Sequence, residues 1–581
     1  MQVADIEAKY DNIKKIIGAK LYKFLEFIYY FKPRVLLAFL IGLCCSLGYP
    51  PFYLFPCFVV GIVAIIRLID FCQTRKEAFI NGLSFSFGLS IGLYYWISFS
   101  LFVDWHYYIL IPFALVLLPL VYSVPHALMF VIYKDVSNYT NAVERVTFFA
   151  VIWCLFEYLR SFVVIKFPWT LAGYTMMFSN SIFQFASVIG TFGFSFYVML
   201  FASFMHLILL NGDGDAYYRY LRYIICFVLS LLFLFIYGFT TLKYNKTEFR
   251  DDIKLRLVQG GVKTAVYYGS NNKSPSIDKY EELTKQAGIE NITHILWPES
   301  AVEYSVYENP FINTRLKDNL HENQILLTGS LRVEEEKNTD MTTNLKLYNT
   351  ITMIDSIGRE AYYDKHFLVP FGEYIPFRRF LPFVNNITNG SVDFTAGDSL
   401  RIYQIYNTPA FLPLVCYEIG FSGHFPVFSK TKYKDIYGIE RTKRTKLEWI
   451  ANLTNDAWFG YSSGPLQHFA MARARAVEYG VPVVRVANSG ITAVIDANGR
   501  VIDKLGLGKV GILDAKLPTS HDVTVFSLLG NKPTLAIVII LFIIFVSRAI
   551  YNRIEKHVNP ITEKITTKID KSLGKTNKKY D

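Results

Sequence analysis

Seven apolar runs crowd the first 241 residues of this chain, and an eighth stands alone near its end. A helix needs roughly 20 apolar residues to cross a bilayer. The runs lie at about 35–49, 51–68, 79–102, 108–133, 145–165, 181–211, 221–241 and 533–550. The first two are short and split by Gly48-Tyr49-Pro50-Pro51, so they form either one hairpin or two tight spans. Residues 243–530, by contrast, read as ordinary globular sequence. Hydrophobic residues make up 52% of the chain and charged residues 18%, against about a quarter charged in a soluble protein. The expectation is an α-helical membrane bundle of about eight spans carrying one large extramembrane domain.

The chain carries a net charge of +11, and lysines gather at its two ends. Lys9, Lys14, Lys15, Lys20, Lys23, Lys32 and Arg34 precede the first run. Lys556, Lys564, Lys568, Lys571, Lys575, Lys578 and Lys579 follow the last. Lysine and arginine collect on the cytoplasmic side of membrane spans, so both termini are expected in the cytoplasm. Seven spans then carry the chain to an outside-facing domain, and the eighth brings it back. Arg67, Arg75, Lys76, Lys134 and Arg145 fall in loops this scheme puts inside, whereas Arg160 and Lys166 run against it. Basic charge that flanks spans, without a binding module, argues against nucleic acid as a partner. No cleavable signal peptide precedes the first run, and residues 1–33 are expected to lie on the membrane surface as a helix. The division is 1–33 basic N-terminal segment, 34–242 bundle, 243–530 globular domain, 531–551 last span and 552–581 basic tail.

Glu157 and Arg160, three apart in the fifth run, share a helix face. Charge in lipid is costly and usually functional; the alternative has both at the interface with Arg160 snorkelling. The globular part alternates strands and helices. Strands are expected at 253–259, 293–297, 324–333, 345–354, 411–416, 449–453, 481–486 and 491–495, and a helix at 465–479 with Gly480 as its stop. The basic stretch 429–447 reads as a solvated loop. This is an α/β or α+β layered domain.

Of seven cysteines, six lie in or at the end of apolar runs; only Cys416 is in the polar part, with no obvious disulfide partner there. It ends the β-prone run Phe-Leu-Pro-Leu-Val, two places before Glu418. A strand end holds a side chain rigidly while opening it to a cleft. A lone cysteine is more often a small buried hydrophobe, but two other constellations accompany it. Leu296-Trp297-Pro298-Glu299-Ser300 delivers a carboxylate to a proline-broken strand end. Asp364-Lys365-His366 through Phe371-Gly372-Glu373-Tyr374-Ile375-Pro376 sets a lysine and a glutamate eight apart across a turn. Singly, each has a dull surface explanation. Together, Glu299, Lys365 and Cys416 supply a base, an oxyanion donor and a nucleophile. The histidines are scattered without zinc-ligand spacing, and neither metal nor cofactor is called for.

This order of motifs resembles the nitrilase superfamily, with its Glu-Lys-Cys triad on an α-β-β-α sandwich. Asn452-Leu453-Thr454-Asn455-Asp456-Ala457-Trp458-Phe459-Gly460, Gln467-His468 and Val484 through Gly490 resemble its later strands and helix. With spans on both sides, the chain looks like the membrane-bound branch of that superfamily, the bacterial apolipoprotein N-acyltransferases. That branch usually has a tryptophan shortly after the position of Val258-Gln259-Gly260; here stand Tyr267 and Tyr268, and no role is carried over to them. The resemblance implies transfer of a fatty acyl chain from a phospholipid, the sn-1 chain of phosphatidylethanolamine, through a Cys416 thioester. The acceptor is the α-amino group of a diacylglyceryl-cysteine at an apolipoprotein N-terminus. It implies Glu299 as general base and Lys365 with the Tyr417 N–H at the oxyanion; beside them Glu373 is read as orienting Lys365 or Glu299, and Glu418 as shaping the site or the acceptor pocket. It also implies a multi-pass monomer of the bacterial inner membrane with the catalytic domain in the periplasm. A membrane-bound amidase that delivers acyl groups to water is the nearest alternative. A transporter or receptor would need more intramembrane polar groups than Glu157 and Arg160.

Overall fold

The computed structural model describes residues 34–103, 105–164, 166–210, 214–262, 275–306, 308–337, 343–375, 393–405, 408–434 and 440–572. The expected surface helix at 1–33, the pair Tyr267 and Tyr268, Pro376 and residues 573–581 lie outside them.

Six described helices are long and apolar enough to cross a membrane: Arg75–Phe102, Tyr107–Ser137, Ala142–Val164, Ala186–Leu207, Leu221–Tyr244 and Lys532–Val558. The other two runs expected to span form the shorter helices Arg34–Ser46 and Phe55–Asp70. Leu221–Tyr244 and Lys532–Val558 expose Val228, Leu229, Phe233, Ile236, Ile540 and Ile543. Among the described residues nothing covers these apolar side chains, as a lipid-facing surface requires. Inside the bundle, small residues bring backbones together. A Cβ on Gly42 would lie 1.9 Å from the Phe85 carbonyl oxygen, and one on Gly88 2.1 Å from that of Phe39.

The rest of the chain builds two sheets. β1 (Phe249–Gln259), β2 (His294–Leu296), β3 (Ile325–Lys337), β4 (Thr343–Asp355) and β5 (Glu360–Asp364) belong to the first. β6 (Phe411–Val415) comes next, then the pair β7 (Phe428–Lys434) and β8 (Glu440–Lys446). β9 (Trp449–Thr454), β10 (Val483–Ala487), β11 (Thr492–Ile495), β12 (Val501–Leu505) and β13 (Gly511–Pro518) complete the set. The first sheet runs β13-β1-β2-β3-β4-β5 and the second β12-β11-β10-β9-β6. Each holds three parallel strands: β1–β2–β3 within the first, and β10–β9–β6, running out to the edge, in the second. Parallel strands are buried on both faces, and β6, β9 and β10 are buried at every position, β6 wholly apolar and β9 and β10 interrupted only by Asn452, Thr454 and Arg485. Leu255, Leu257, Leu327 and Ile351 of the first sheet join Leu412, Leu414, Ile450 and Val484 of the second in one core. Ile277 and Tyr280 of helix Pro275–Thr284, with Ile312 and Leu316 of helix Pro310–Asp318, pack against Val258, Ile295 and Leu326. Helix Ser463–Tyr479 is buried on the far side of the second sheet, giving α-β-β-α layering.

One expectation fails. The basic stretch 429–447 is a β-hairpin, paired from Phe428↔Lys446 to Lys434↔Glu440, rather than a loop; its tip, 435–439, lies outside the described residues. Thr431, Tyr433, Thr442 and Thr445 interleave the lysines and arginines. β-branched and aromatic residues at that spacing favour strand, and the charge masked the pattern.

Helix Ser463–Tyr479 also joins the two parts. Glu478 accepts hydrogen bonds from the Thr191 N–H (2.7 Å) and hydroxyl (2.6 Å), capping the helix that restarts after the kink at Gly190. Near its other end, the Gln467 side-chain oxygen accepts from the indoles of Trp96 (3.1 Å) and Trp169 (2.8 Å).

The glycine contacts make a stability prediction. Gly88→Val drives a side chain into the Phe39 carbonyl and should cost about 1–3 kcal/mol or more. Leu40→Ala, at a position 46% exposed, should cost far less. Thermal unfolding in detergent compares them; equal melting temperatures would contradict the close packing.

Candidate active site

β6 carries the chain through the core and ends at Cys416, whose φ is +53°. A non-glycine residue in that region costs roughly 1–2 kcal/mol and persists only where its surroundings fix it. Glu418, fully buried, does much of the fixing. One oxygen accepts the Val415 N–H at 2.7 Å. The other accepts the Tyr363 hydroxyl (2.9 Å) and the N–H groups of His366 (2.8 Å) and Phe367 (3.0 Å). Burial pushes the Glu418 carboxyl up despite these donors. Glu418 is thus a latch tying the segment after Lys365 to the strand that precedes Cys416.

Glu299 leaves the end of β2 through a tightly held turn. The Trp297 indole donates to the Thr284 hydroxyl at 2.9 Å and its ring stacks on Tyr280. Ser300 follows with φ +54°, and Gly329 makes room, since a Cβ there would lie 2.5 Å from Glu299 Cα. One Glu299 oxygen accepts the Asn349 side-chain amide at 2.9 Å and lies 3.6 Å from Lys365 Nζ. The other accepts the Asn455 N–H at 2.8 Å. Lys365 follows β5, its N–H donating to the Asn349 carbonyl (2.9 Å) and its ammonium to Glu373 (2.8 Å). The Asn349 amide also donates to Glu373 at 2.9 Å, so one side chain bridges both carboxylates.

Glu299, Lys365 and Cys416 are all buried, at 6%, 1% and 6% exposure, and their charges depend on one another. Burial alone would strip the lysine of its proton, but Glu373, Glu299 and Cys416 outweigh it and hold Lys365 well above its ordinary value. Burial raises the Glu299 carboxyl, with Lys365 working against the rise. Burial and the Glu299 charge raise the Cys416 thiol well above an ordinary cysteine, so it rests protonated. A protonated thiol hydrogen-bonded to a carboxylate has beside it a group chemically able to accept its proton.

The remaining expected residues fall in the same place. Glu373 contacts Lys365 directly and reaches Glu299 through Asn349. Tyr417 sits under the ammonium, its ring centre 5.6 Å from Lys365 Nζ, and its hydroxyl donates to the Leu368 carbonyl at 2.6 Å. Sequence reasoning missed Asn349; its only signal is a polar residue inside the apolar Leu347–Ile354 part of β4.

The membrane part walls the site. Phe167 stacks on Tyr417 with ring centres 6.4 Å apart, and Trp169 lies 5.1 Å from His468. Glu157 and Arg160 hold this wall. The Ala172 N–H donates to Glu157 at 2.7 Å; Arg160 donates to the Thr170 carbonyl (3.3 Å) and the Tyr94 hydroxyl (3.0 Å). Arg160 is 5% exposed and stacks over Tyr122, so it is inside the bundle rather than snorkelling to an interface.

Two family models match the chain: the apolipoprotein N-acyltransferase N-terminal domain over residues 41–204 and the carbon-nitrogen hydrolase over 254–521. The apolipoprotein N-acyltransferase of Rhodopseudomonas palustris is 30% identical over 89% of this chain and 95% of its own. That of Bradyrhizobium diazoefficiens is 32% identical over 90% and 96%, and that of Rickettsia bellii 31% over 88% and 97%. Among solved structures, a mutant of the Nesterenkonia AN1 amidase from the nitrilase superfamily aligns with 46% of this chain and 90% of its own. Its identity is 16% and its TM-score 0.30, too low to carry an argument. By its length-spanning relatives and both matched domains, this chain belongs to the apolipoprotein N-acyltransferase family.

Proposed function

We propose that this chain transfers a fatty acyl group from a membrane phospholipid to the N-terminal amine of an apolipoprotein, through a thioester at Cys416. The carrying observation is a buried Glu299–Lys365–Cys416 cluster directly behind aromatic residues of the membrane part. In the first half, Glu299 takes the thiol proton as sulfur attacks the sn-1 ester carbonyl of phosphatidylethanolamine. Lys365 and the Tyr417 N–H take the developing oxyanion. The ester C–O bond breaks, and the Glu299 proton goes to the departing lysophospholipid alkoxide. In the second half, the neutral α-amine of a diacylglyceryl-cysteine attacks the thioester. Glu299 takes its proton and returns it to the Cys416 sulfur as the C–S bond breaks. Glu373 and Asn349 keep Lys365 charged and aimed, and Glu418 holds the lysine loop to the nucleophile.

In the same reading, helices Arg34–Ser46 and Phe55–Asp70 are two tight spans that complete eight. The bundle then occupies 34–242, the catalytic domain 243–530 faces the periplasm, and residues 1–33 and 552–581 lie in the cytoplasm of a monomer of the inner membrane.

Spheroplasts whose only enzyme of this kind is this chain, given a membrane-impermeant diacylglyceryl-cysteine peptide, should produce N-acyl peptide detectable by mass spectrometry. Free fatty acid without N-acyl peptide would mean that water is the acceptor. Product only after permeabilisation would reverse the topology.

The pH profile is a second check. A raised Glu299 stays protonated, and so cannot accept the thiol proton, up to a higher pH than an ordinary glutamate. The acid limb of single-turnover acylation should therefore lie above about pH 4.3, and Glu299→Gln should lose about 10²–10⁴-fold in rate. An acid limb at or below that pH would contradict the assignment.

A further inference from the structure

Around the Cys416 carbonyl lies a second buried polar group that the proposed chemistry leaves without a task. The Cys416 carbonyl oxygen accepts two side-chain hydrogen bonds, from Asn452 Nδ2 and His468 Nε2, each at 3.1 Å. A carbonyl oxygen has only lone pairs, so the His468 Nε2 bears the proton. One guanidinium holds both donors. Arg485 donates to Asn452 Oδ1 and Asp456 Oδ2, both at 2.6 Å, and Asp456 Oδ1 lies 2.9 Å from His468 Nδ1. Asn452, His468 and Arg485 are fully buried and Asp456 nearly so. Even Gly490 is fitted to the group, since a Cβ there would lie 2.1 Å from Asp456 Oδ2.

One donor would satisfy a buried carbonyl. Two donors from different elements, both braced by Arg485, over-determine the orientation of one peptide unit. That unit is the planar Cys416–Tyr417 peptide, whose C=O and N–H point in opposite directions. Fixing the oxygen toward β9 and helix Ser463–Tyr479 therefore fixes the direction of the Tyr417 N–H. It also sustains the left-handed conformation of Cys416, which relaxation of this peptide would abolish.

We infer that His468 is a positioning residue: with Asn452, it pins the Cys416 carbonyl so that the Tyr417 N–H is aimed at the oxyanion. This rests on the acyl-transfer reading above. It assigns the Arg485–Asp456–His468 chain to stabilisation of the tetrahedral intermediate, distinct from the activation of the thiol by Glu299.

The test separates carbonyl attack from thiol reactivity. Single-turnover acylation of the full-length enzyme by phosphatidylethanolamine passes through an oxyanion. Alkylation of Cys416 by iodoacetamide does not, because sulfur displaces iodide at a saturated carbon. His468→Ala should slow acylation about 100-fold, the magnitude of a lost oxyanion donor, with alkylation within about threefold of wild type. His468→Gln, which keeps an N–H able to reach the carbonyl, should restore acylation to within about tenfold. Should His468→Ala not fold, Asn452→Ala, which removes the other donor, is read the same way. Acylation unchanged, or acylation and alkylation falling together, would overturn the inference while leaving the acyl-transfer reading standing. A wild-type enzyme that alkylates but never acylates would instead sink that reading, and the inference with it.

Discussion

The site turns on one buried ammonium. Lys365, 1% exposed, lies 2.8 Å from Glu373 and 3.6 Å from Glu299. An unpaired charge at such depth costs several kcal/mol. Lys365 stays charged because two carboxylates face it, and those carboxylates stay close because Lys365 and Asn349 lie between them. The cluster is mutually dependent: removing Lys365 would leave two buried carboxylates without a counter-charge, and removing either carboxylate would leave Lys365 one partner instead of two. This dependence also places a protonated cysteine beside a carboxylate with raised proton affinity, the condition for base-assisted attack.

Around that charge, the fold supplies rigidity from three directions. β2 brings Glu299 through a turn pinned by Trp297. Glu418 latches the Lys365 segment to β6. Helix Ser463–Tyr479 lies between the second sheet and the bundle, with Glu478 capping a membrane helix and Gln467 taking two tryptophan indoles. Cys416 is consequently held by the same helix that fastens the globular part to the bundle. Phe167 and Trp169 reach the site only because Glu157 and Arg160, inside the bundle, hold the segment that carries them. A buried carboxylate and a buried guanidinium inside the bundle are here fixtures for an aromatic wall.

Much of this was legible in the sequence because its signals are local. Apolar runs of spanning length, strand-ending cysteine and proline-broken strand ends need no tertiary knowledge, and eight of the described strands coincide with expected ones. The missed features depend on what packs against what. β5, β12 and β13 are half-exposed strands with weak patterns, defined by their neighbours. The hairpin at 428–446 was hidden by its charge, although threonine and tyrosine alternate through it. Asn349 is an ordinary asparagine until β4 sets it between two carboxylates. The two helices near the start, of 13 and 16 residues, fall below the length of an ordinary span, and six helices reach it among the described residues.

The account stands on a covalent bond between Cys416 and an acyl chain. Intact-protein mass spectrometry after incubation with phosphatidylethanolamine, in the absence of an acceptor, reads it most directly. Wild type should gain one fatty-acyl mass that hydroxylamine removes, and Cys416→Ala should gain none. No added mass with any phospholipid, or the same mass on Cys416→Ala, would contradict it.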